Sequence, residues 1–229
     1  MIVRTGIMRR RPDMDLDAFK RHWREQHGPL AAKMPGLRRY QQNLVIDRSQ
    51  LAIDHARGGW DVDGFSQLWF DNIEAMRATT KTPEFAPTVP DIDRFVGEIK
   101  LVVCQPNVVL PLKEDPGTLI KRMSILRRRS DIDAARFRDE WFGFHAEAVS
   151  RFPGIAGYTQ NLVIDRGADL YNSAPYEKVP IDGIVEMWFP NQATLESAFH
   201  SSAADISQRH ALDFIAEITT FLVKPYTVV

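Results

Sequence analysis

Two imidazoles, His27 and His145, each stand four residues after a tryptophan and eight after a phenylalanine on otherwise apolar segments. Imidazole exchanges a proton near neutral pH, so both are candidate general acids or bases, although a lone histidine on an apolar helix face serves as readily as a satisfied structural group. Two arginines, Arg4 and Arg122, interrupt apolar runs. If they point inward, their planar forks suit a substrate carboxylate or enolate, and the competing reading is that each ties down its own unit through a neighbouring carboxylate. Glu186 lies between Ile184 and Trp188. Desolvation on an inward face would raise its pKa toward the range useful for acid–base work, whereas pairing with a buried cation would not. Tyr40 and Tyr158 could hydrogen-bond a substrate oxygen or fill the core.

These residues come in pairs because the chain is written twice. Trp23 and Trp141, His27 and His145, Tyr40 and Tyr158, and Asn43 and Asn161 are each 118 positions apart, and QNLVIDR recurs letter for letter. A repeat of this period in 229 residues predicts two similar units, residues 1–110 and 118–229, joined by a linker at 111–117.

Each unit reads as strand, helix, strand, strand, helix, strand. Apolar runs Ile2–Met8 and Leu119–Leu126 give the first strands, each closed by three arginines expected at a solvated strand end. A helix follows near Asp15, with Leu16, Phe19, Trp23, His27 and Leu30 at helical spacing. On an α-helix the five-residue separation of His22 and His27 puts them on different faces, which argues against a shared metal. Gly28-Pro29 should bend the first helix, while Ala146-Glu147 lets the second run on. Two loops, one from Arg48 to Gly64 and one from Gly167 to Asp182, exceed ordinary connections and suggest lids or interaction segments. This order describes an α+β fold of two ferredoxin-like βαββαβ repeats. With helices on one face only, the repeats would pack sheet to sheet as a pseudo-dimeric barrel around a cavity. Strand parity then turns Gln67 and Trp69, with their counterparts Glu186 and Trp188, toward that cavity. Gln42-Asn43 and Gln160-Asn161 could satisfy bulged backbone or donate to a ligand.

Trp23, His27-Gly28-Pro29-Leu30, Pro35-Gly36-Leu37, Tyr40 and Gln42-Asn43 together resemble the EthD family of dimeric α+β barrel proteins. The second copy is a weaker match through Trp141, His145, Pro153-Gly154, Tyr158 and Gln160-Asn161. The resemblance implies a small-molecule cavity with the histidine beside it. The wider superfamily spans isomerases, cyclases, dehydratases, cofactor-free monooxygenases and haem-handling proteins.

Composition narrows the classes further. A net charge of -1 gives no general attraction to nucleic acid or anionic lipid, and no run of apolar residues is long enough to span a bilayer. The single cysteine, Cys104, excludes an intrachain disulfide and fits a reducing cytoplasm; in its apolar strand it reads as an inert thiol. There is no HExxH, CxxC, P-loop, GxGxxG or nucleophile elbow. The expectation is a cytoplasmic enzyme without cofactor or metal. It would use His27, His145 and Glu186 for proton transfer, with Arg4, Arg122, Tyr40, Tyr158, Asn43, Asn161, Gln67, Trp69 and Trp188 around a small organic acid, lactone or polyketide-like substrate. Isomerisation, cyclisation, dehydration and decarboxylation all suit these groups. Cofactor-free oxygenation, or a non-catalytic small-molecule or haem carrier, are the alternatives. A homodimer of the tandem chain stays open.

Overall fold

A computed structural model describes residues 1–167 and 172–229; residues 168–171, inside the second long loop, lie outside the description. Eight strands, β1 (Ile2–Arg10), β2 (Arg39–Asp47), β3 (Gly64–Phe70), β4 (Val96–Leu110), β5 (Ile120–Arg128), β6 (Gly157–Gly167), β7 (Gly183–Phe189) and β8 (Ile215–Thr227), close into one antiparallel barrel of order β1-β3-β2-β8-β5-β7-β6-β4. Each repeat thus supplies four adjacent strands. The long last strands β4 and β8 cross to the other repeat, pairing with β6 and β2. Closure removes every free sheet edge that two separate four-stranded sheets would carry.

Helices cover the outer face of the barrel. In the first repeat these are α1 (Leu16–His22), α2 (Gly28–Ala31), α3 (Ile73–Thr79) and α4 (Thr88–Ile92). In the second they are α5 (Ala134–Glu140), α6 (Ala146–Ser150), α7 (Gln192–Phe199) and α8 (Ser202–Ala211). Asp15, Asn72, Asp133 and Asn191 cap α1, α3, α5 and α7 by accepting from an amide three residues on, which satisfies one otherwise orphaned donor in each first turn.

Between α1 and α2 the chain widens into a π-type turn over Trp23–His27, and Trp141–His145 repeats it between α5 and α6. The second helix was expected to run unbroken through this region; instead Gly143 leaves helical geometry at φ -84°, ψ -117° and kinks it. Gln42 Nε2 donates to the Trp23 carbonyl at 2.7 Å, and Gln160 Nε2 to that of Trp141 at 2.6 Å, so the glutamine of each QN pair secures the wide turn.

The tryptophans pack against glycines. A Cβ on Gly64 would sit 2.5 Å from the Trp23 ring, and one on Gly183 would sit 2.4 Å from Trp141. Only glycine lets the indole lie on the strand there. Arg10 and Arg128, read as solvated, reach back instead to the buried Asp63 and Asp182, which also accept from the arginines' own amides.

Inside the barrel, Val3, Val45, Phe65, Val102, Cys104, Met123, Ile184, Phe221 and Val223 fill the space as one apolar cluster. The cavity expected between the sheets is therefore a packed core, since eight strands enclose little more than their own side chains. Burial raises the Cys104 thiol pKa and keeps it protonated.

Candidate functional site

One end of the barrel core is polar. Glu186 Oε2 lies 2.6 Å from Lys121 Nζ, and its Oε1 accepts from Gln67 at 2.6 Å and Asn161 at 2.9 Å. Lys121 also donates to Gln41, Asn43 and Gln67 at 3.0, 3.0 and 3.1 Å and lies over the Trp188 ring. Gln67 and Trp188 face inward, and Trp69 packs against the same core. Burial alone would raise the Glu186 pKa; the adjacent ammonium and the two amide donors outweigh it and hold the carboxyl below the ordinary glutamate value. Glu186 is thus a clamped carboxylate rather than a group poised to titrate near neutrality, which corrects the expectation of a raised pKa. Asn43 and Asn161 are likewise consumed in this core network. Lys121 was missed because it lies within an apolar strand; the signal was its mismatch with Val3, its counterpart 118 positions earlier.

Arg4 and Arg122 point the other way, toward the helices, because their parity on β1 and β5 is opposite to that of Val3 and Met123. The inward clamp is therefore corrected to two outward arginines, one in each of two cavities between sheet and helices. The first-repeat cavity, about 30 Å³, is lined by Arg4, His27, Tyr40, Ser66, Phe85 and Thr88 among others. The second-repeat cavity, about 50 Å³, is lined by Arg122, His145, Tyr158, Ser124, Phe152 and Phe199 among others. Arginine, histidine and tyrosine do converge in each repeat, on the face opposite to the one expected.

The two sites are chemically different. In the first, His27 Nδ1 and His22 Nε2 both lie 3.0 Å from oxygens of the buried Asp91. The π-type turn adds the residue that brings positions five apart onto one face, overturning the α-helical expectation for His22 and His27. Burial lowers the His27 pKa and Asp91 opposes this. Its Nε2 takes no hydrogen bond among the described residues. Arg4 is buried, with 8% of its surface exposed, and burial lowers its pKa to about 10 with Tyr40 opposing. No hydrogen-bond acceptor or carboxylate partner reaches it among the described residues. The Tyr40 hydroxyl receives hydrogen bonds from Trp23 Nε1 at 2.9 Å and Gln42 Nε2 at 3.2 Å, so it is positioned by the repeat's own framework.

In the second repeat the acid and base are exchanged. Glu140 and His210, 3.2 Å apart, replace His22 and Asp91. His145 therefore has no carboxylate partner among the described residues. Its Nδ1 is buried without a hydrogen bond, and burial, with His210 adding, pushes its pKa to about 3. Tyr158 accepts from Gln160 at 2.8 Å. Arg122 donates to the carbonyls of Gln50 and Leu51, contributed by the first repeat's long loop, and to Thr220.

The EthD domain matches residues 11–98 and 129–218. The chain belongs to the EthD family. No curated protein matches it. Among solved structures it is similar to an anthrone oxidase-like protein, with TM-score 0.66, 10% identity, and coverage of 99% of this chain and 92% of that one. It is also similar to a dye-decolorizing peroxidase from Bacteroides thetaiotaomicron VPI-5482, with TM-score 0.55, 7% identity, and coverage of 97% and 92%. A mutant chlorite dismutase from Candidatus Nitrospira defluvii gives TM-score 0.52, 10% identity, and coverage of 97% and 91%. At these identities the likeness is one of fold. Neither cavity of this EthD chain, at 30 and 50 Å³, fits a haem as it stands, since ligand sites usually offer about 300–1,000 Å³. Among the described residues no group of three or more His, Cys, Asp or Glu could hold a metal ion, and no helix is long and apolar enough to cross a membrane.

Proposed function

We propose that this EthD protein is a cofactor-independent enzyme that moves protons on a small organic acid, lactone or polyketide-like carbonyl compound, using the first-repeat cavity. The carrying observation is the buried Arg4 guanidinium, which has no acceptor among the described residues and faces the same cavity as His27. A buried cation without a partner is costly, and an anionic oxygen arriving in the cavity relieves that cost.

The roles follow from the geometry. Asp91 holds Nδ1–H of neutral His27, leaving Nε2 as the base. Nε2 removes a proton from the carbon beside the substrate carbonyl, and the charge that develops on the oxygen falls to Arg4. Asp91 balances the imidazolium until the proton returns at another carbon or leaves with a departing group. The cavity as built holds about two waters. Substrate entry therefore displaces Phe85 and Thr88, which line the cavity from the segment ending in the five-residue α4.

The same enolate could react with oxygen, and the fold likeness to an anthrone oxidase-like protein supports this second reading. Oxygen uptake during turnover separates the two. The test of the site is a thermal-shift screen of small carboxylates and enolisable ketones, since a ligand that binds the folded state raises its stability. Ligands found this way should lose their shift in Arg4→Gln and keep it in His27→Asn while turnover disappears; an unchanged shift and rate in Arg4→Gln would remove the basis of the proposal.

A further inference from the structure

The second-repeat cavity is closed by a segment of the other repeat. Residues 50–58 run from the first repeat's long loop across β8, and Ile53 and His55 line the cavity. The strap packs Leu51, Ala52 and Ile53 on the second repeat's core and is otherwise held by hydrogen bonds, among them His55 Nε2 with the Ile215 carbonyl at 3.0 Å and the Thr220 amide to Gln50 Oε1 at 3.2 Å. The Ile218 amide donates to the Ala56 carbonyl at 2.9 Å, Gly58 N–H donates to Thr219 Oγ1 at 3.0 Å, and Asp54 N–H donates to Gln208 Oε1 at 3.2 Å. Gln50 Nε2 reaches the Ile218 carbonyl at 2.9 Å. Leu51 and Ala52 carry φ of 46° and 63°, a left-handed conformation unfavourable to residues with a Cβ.

What the strap covers lacks a charged partner. Arg122 is fully buried and its Nε has no partner among the described residues; it donates to the Gln50 and Leu51 carbonyls at 3.0 and 3.4 Å and the Thr220 hydroxyl at 3.2 Å, all neutral oxygens, and its guanidinium lies 4.1 Å over the Phe199 ring. His145 lines the same cavity, and its buried Nδ1 has no hydrogen-bond partner among the described residues. Val149, Phe152, Met187 and Phe199 give the cavity apolar walls, with the polar Ser124, Tyr158, Ser207 and Gln208 beside them. Two surface grooves of about 560 and 590 Å³ flank the strap, and both are lined in part by its own residues 52–56. A lifted strap would connect them to the 50 Å³ cavity and give room for an ordinary small ligand.

We propose that the strap is a gate on a second ligand site, in which an apolar monocarboxylate replaces the strap carbonyls on Arg122 and lays its hydrocarbon body among Val149, Phe152, Met187 and Phe199. A carboxylate offers Arg122 the bidentate, charged acceptor that two backbone carbonyls only imitate. Among the described residues the first-repeat cavity is lined by its own repeat alone.

The test uses the full chain with decanoate and 2-naphthoate as probes and decanol and 2-naphthol as controls, followed by calorimetry and by amide hydrogen exchange. The carboxylates should bind more tightly than the alcohols and strip exchange protection from the Ile218, Gly58 and Asp54 amides. Arg122→Gln should weaken the acids on the order of tenfold or more and leave the alcohols unchanged, with Arg122→Lys in between. Leu51→Gly/Ala52→Gly, which relaxes the closed strap, should weaken the acids by about tenfold. Equal binding of acid and alcohol, or binding with strap protection unchanged, overturns the proposal; so does undiminished acid binding in Arg122→Gln.

Discussion

Substituting Glu186 by Gln turns the charged core into a stability measurement. At 2.6 Å and an effective dielectric constant of about 20, the Lys121–Glu186 attraction is about 6 kcal/mol before desolvation. Removing one partner of such a buried pair costs about 3–5 kcal/mol, because the other charge is left buried. Lys121 would keep Gln41, Asn43 and Gln67 as acceptors, so the expected loss for Glu186→Gln is near 3 kcal/mol, at the lower end of that range. Lys121→Val, which strands the carboxylate with only Gln67 and Asn161, should cost as much or more. The double variant Lys121→Val/Glu186→Gln installs the residues found at the equivalent first-repeat positions, Val3 and Gln67. Its stability should return to within about 1 kcal/mol of the parent. Urea unfolding at pH 7, with slopes compared so that only midpoint shifts are read as stability, supplies the four values of the cycle. A Glu186→Gln loss below about 1 kcal/mol, or a double variant as unstable as the sum of the singles, would refute the clamp.

Three further outcomes follow from the geometry. Unfolded chains take up a proton on His145 as the pH falls past about 6.5, whereas the folded chain resists until about 3. The folded pKa of this base is depressed, so stability is lost on acidification; relative to His145→Gln, the parent should lose about 2 kcal/mol between pH 7 and pH 5, and parallel curves would contradict the burial argument. Gly64→Ala and Gly183→Ala drive a methyl into Trp23 and Trp141 and should each cost about 2–3 kcal/mol in denaturant unfolding, with a loss under about 0.5 kcal/mol counting against the close packing. Asp91→Asn should lower kcat by about a hundredfold while leaving KM nearly unchanged, because the base loses its orienting acceptor and the anion-binding Arg4 is untouched; a change confined to KM would reassign Asp91 to binding.

The fold could be read because strand and helix periodicities are strong and repeat at a constant offset. Parity correctly turned Gln67 and Glu186 inward, since alternation along a short strand tolerates no slip. It did not say whether the inward face was wet. That depends on how tightly eight strands close, a global property that no local pattern carries, and the expected cavity therefore proved to be core. The His22–Asp91–His27 cluster was hidden for a different reason. A π-type turn breaks the 3.6-residue period on which facing positions are assigned, and Asp91 arrives from a segment 64 residues away from His27. The mismatched pairs, Asp91 with His210 and Val3 with Lys121, were visible by subtraction alone, and they mark where the two repeats have been put to different uses.

Those mismatches explain why the repeats share one chain. Gln67 and Glu186 occupy equivalent positions and touch across the barrel interior, 2.6 Å from nitrogen to oxygen. In a symmetric dimer of a single repeat both positions would be the same residue. Two glutamates there would set carboxylate against carboxylate, and two glutamines would leave Lys121 and its symmetry mate as uncompensated buried cations. The pairing of one amide, one carboxylate and one ammonium is available only when the halves can mutate separately. Fusion permits the same divergence outside the barrel. One repeat keeps a carboxylate-held imidazole beside a guanidinium with no acceptor among the described residues, while the other gives up that carboxylate and has its guanidinium capped by its neighbour's loop. A split expression of residues 1–110 and 111–229 tests this: mixed together the halves should associate as a heterodimer, whereas residues 1–110 alone should not yield a homodimer with the parent's unfolding midpoint, because β4 carries Lys100 where β8 carries the Thr219 that holds Gly58 of the other repeat.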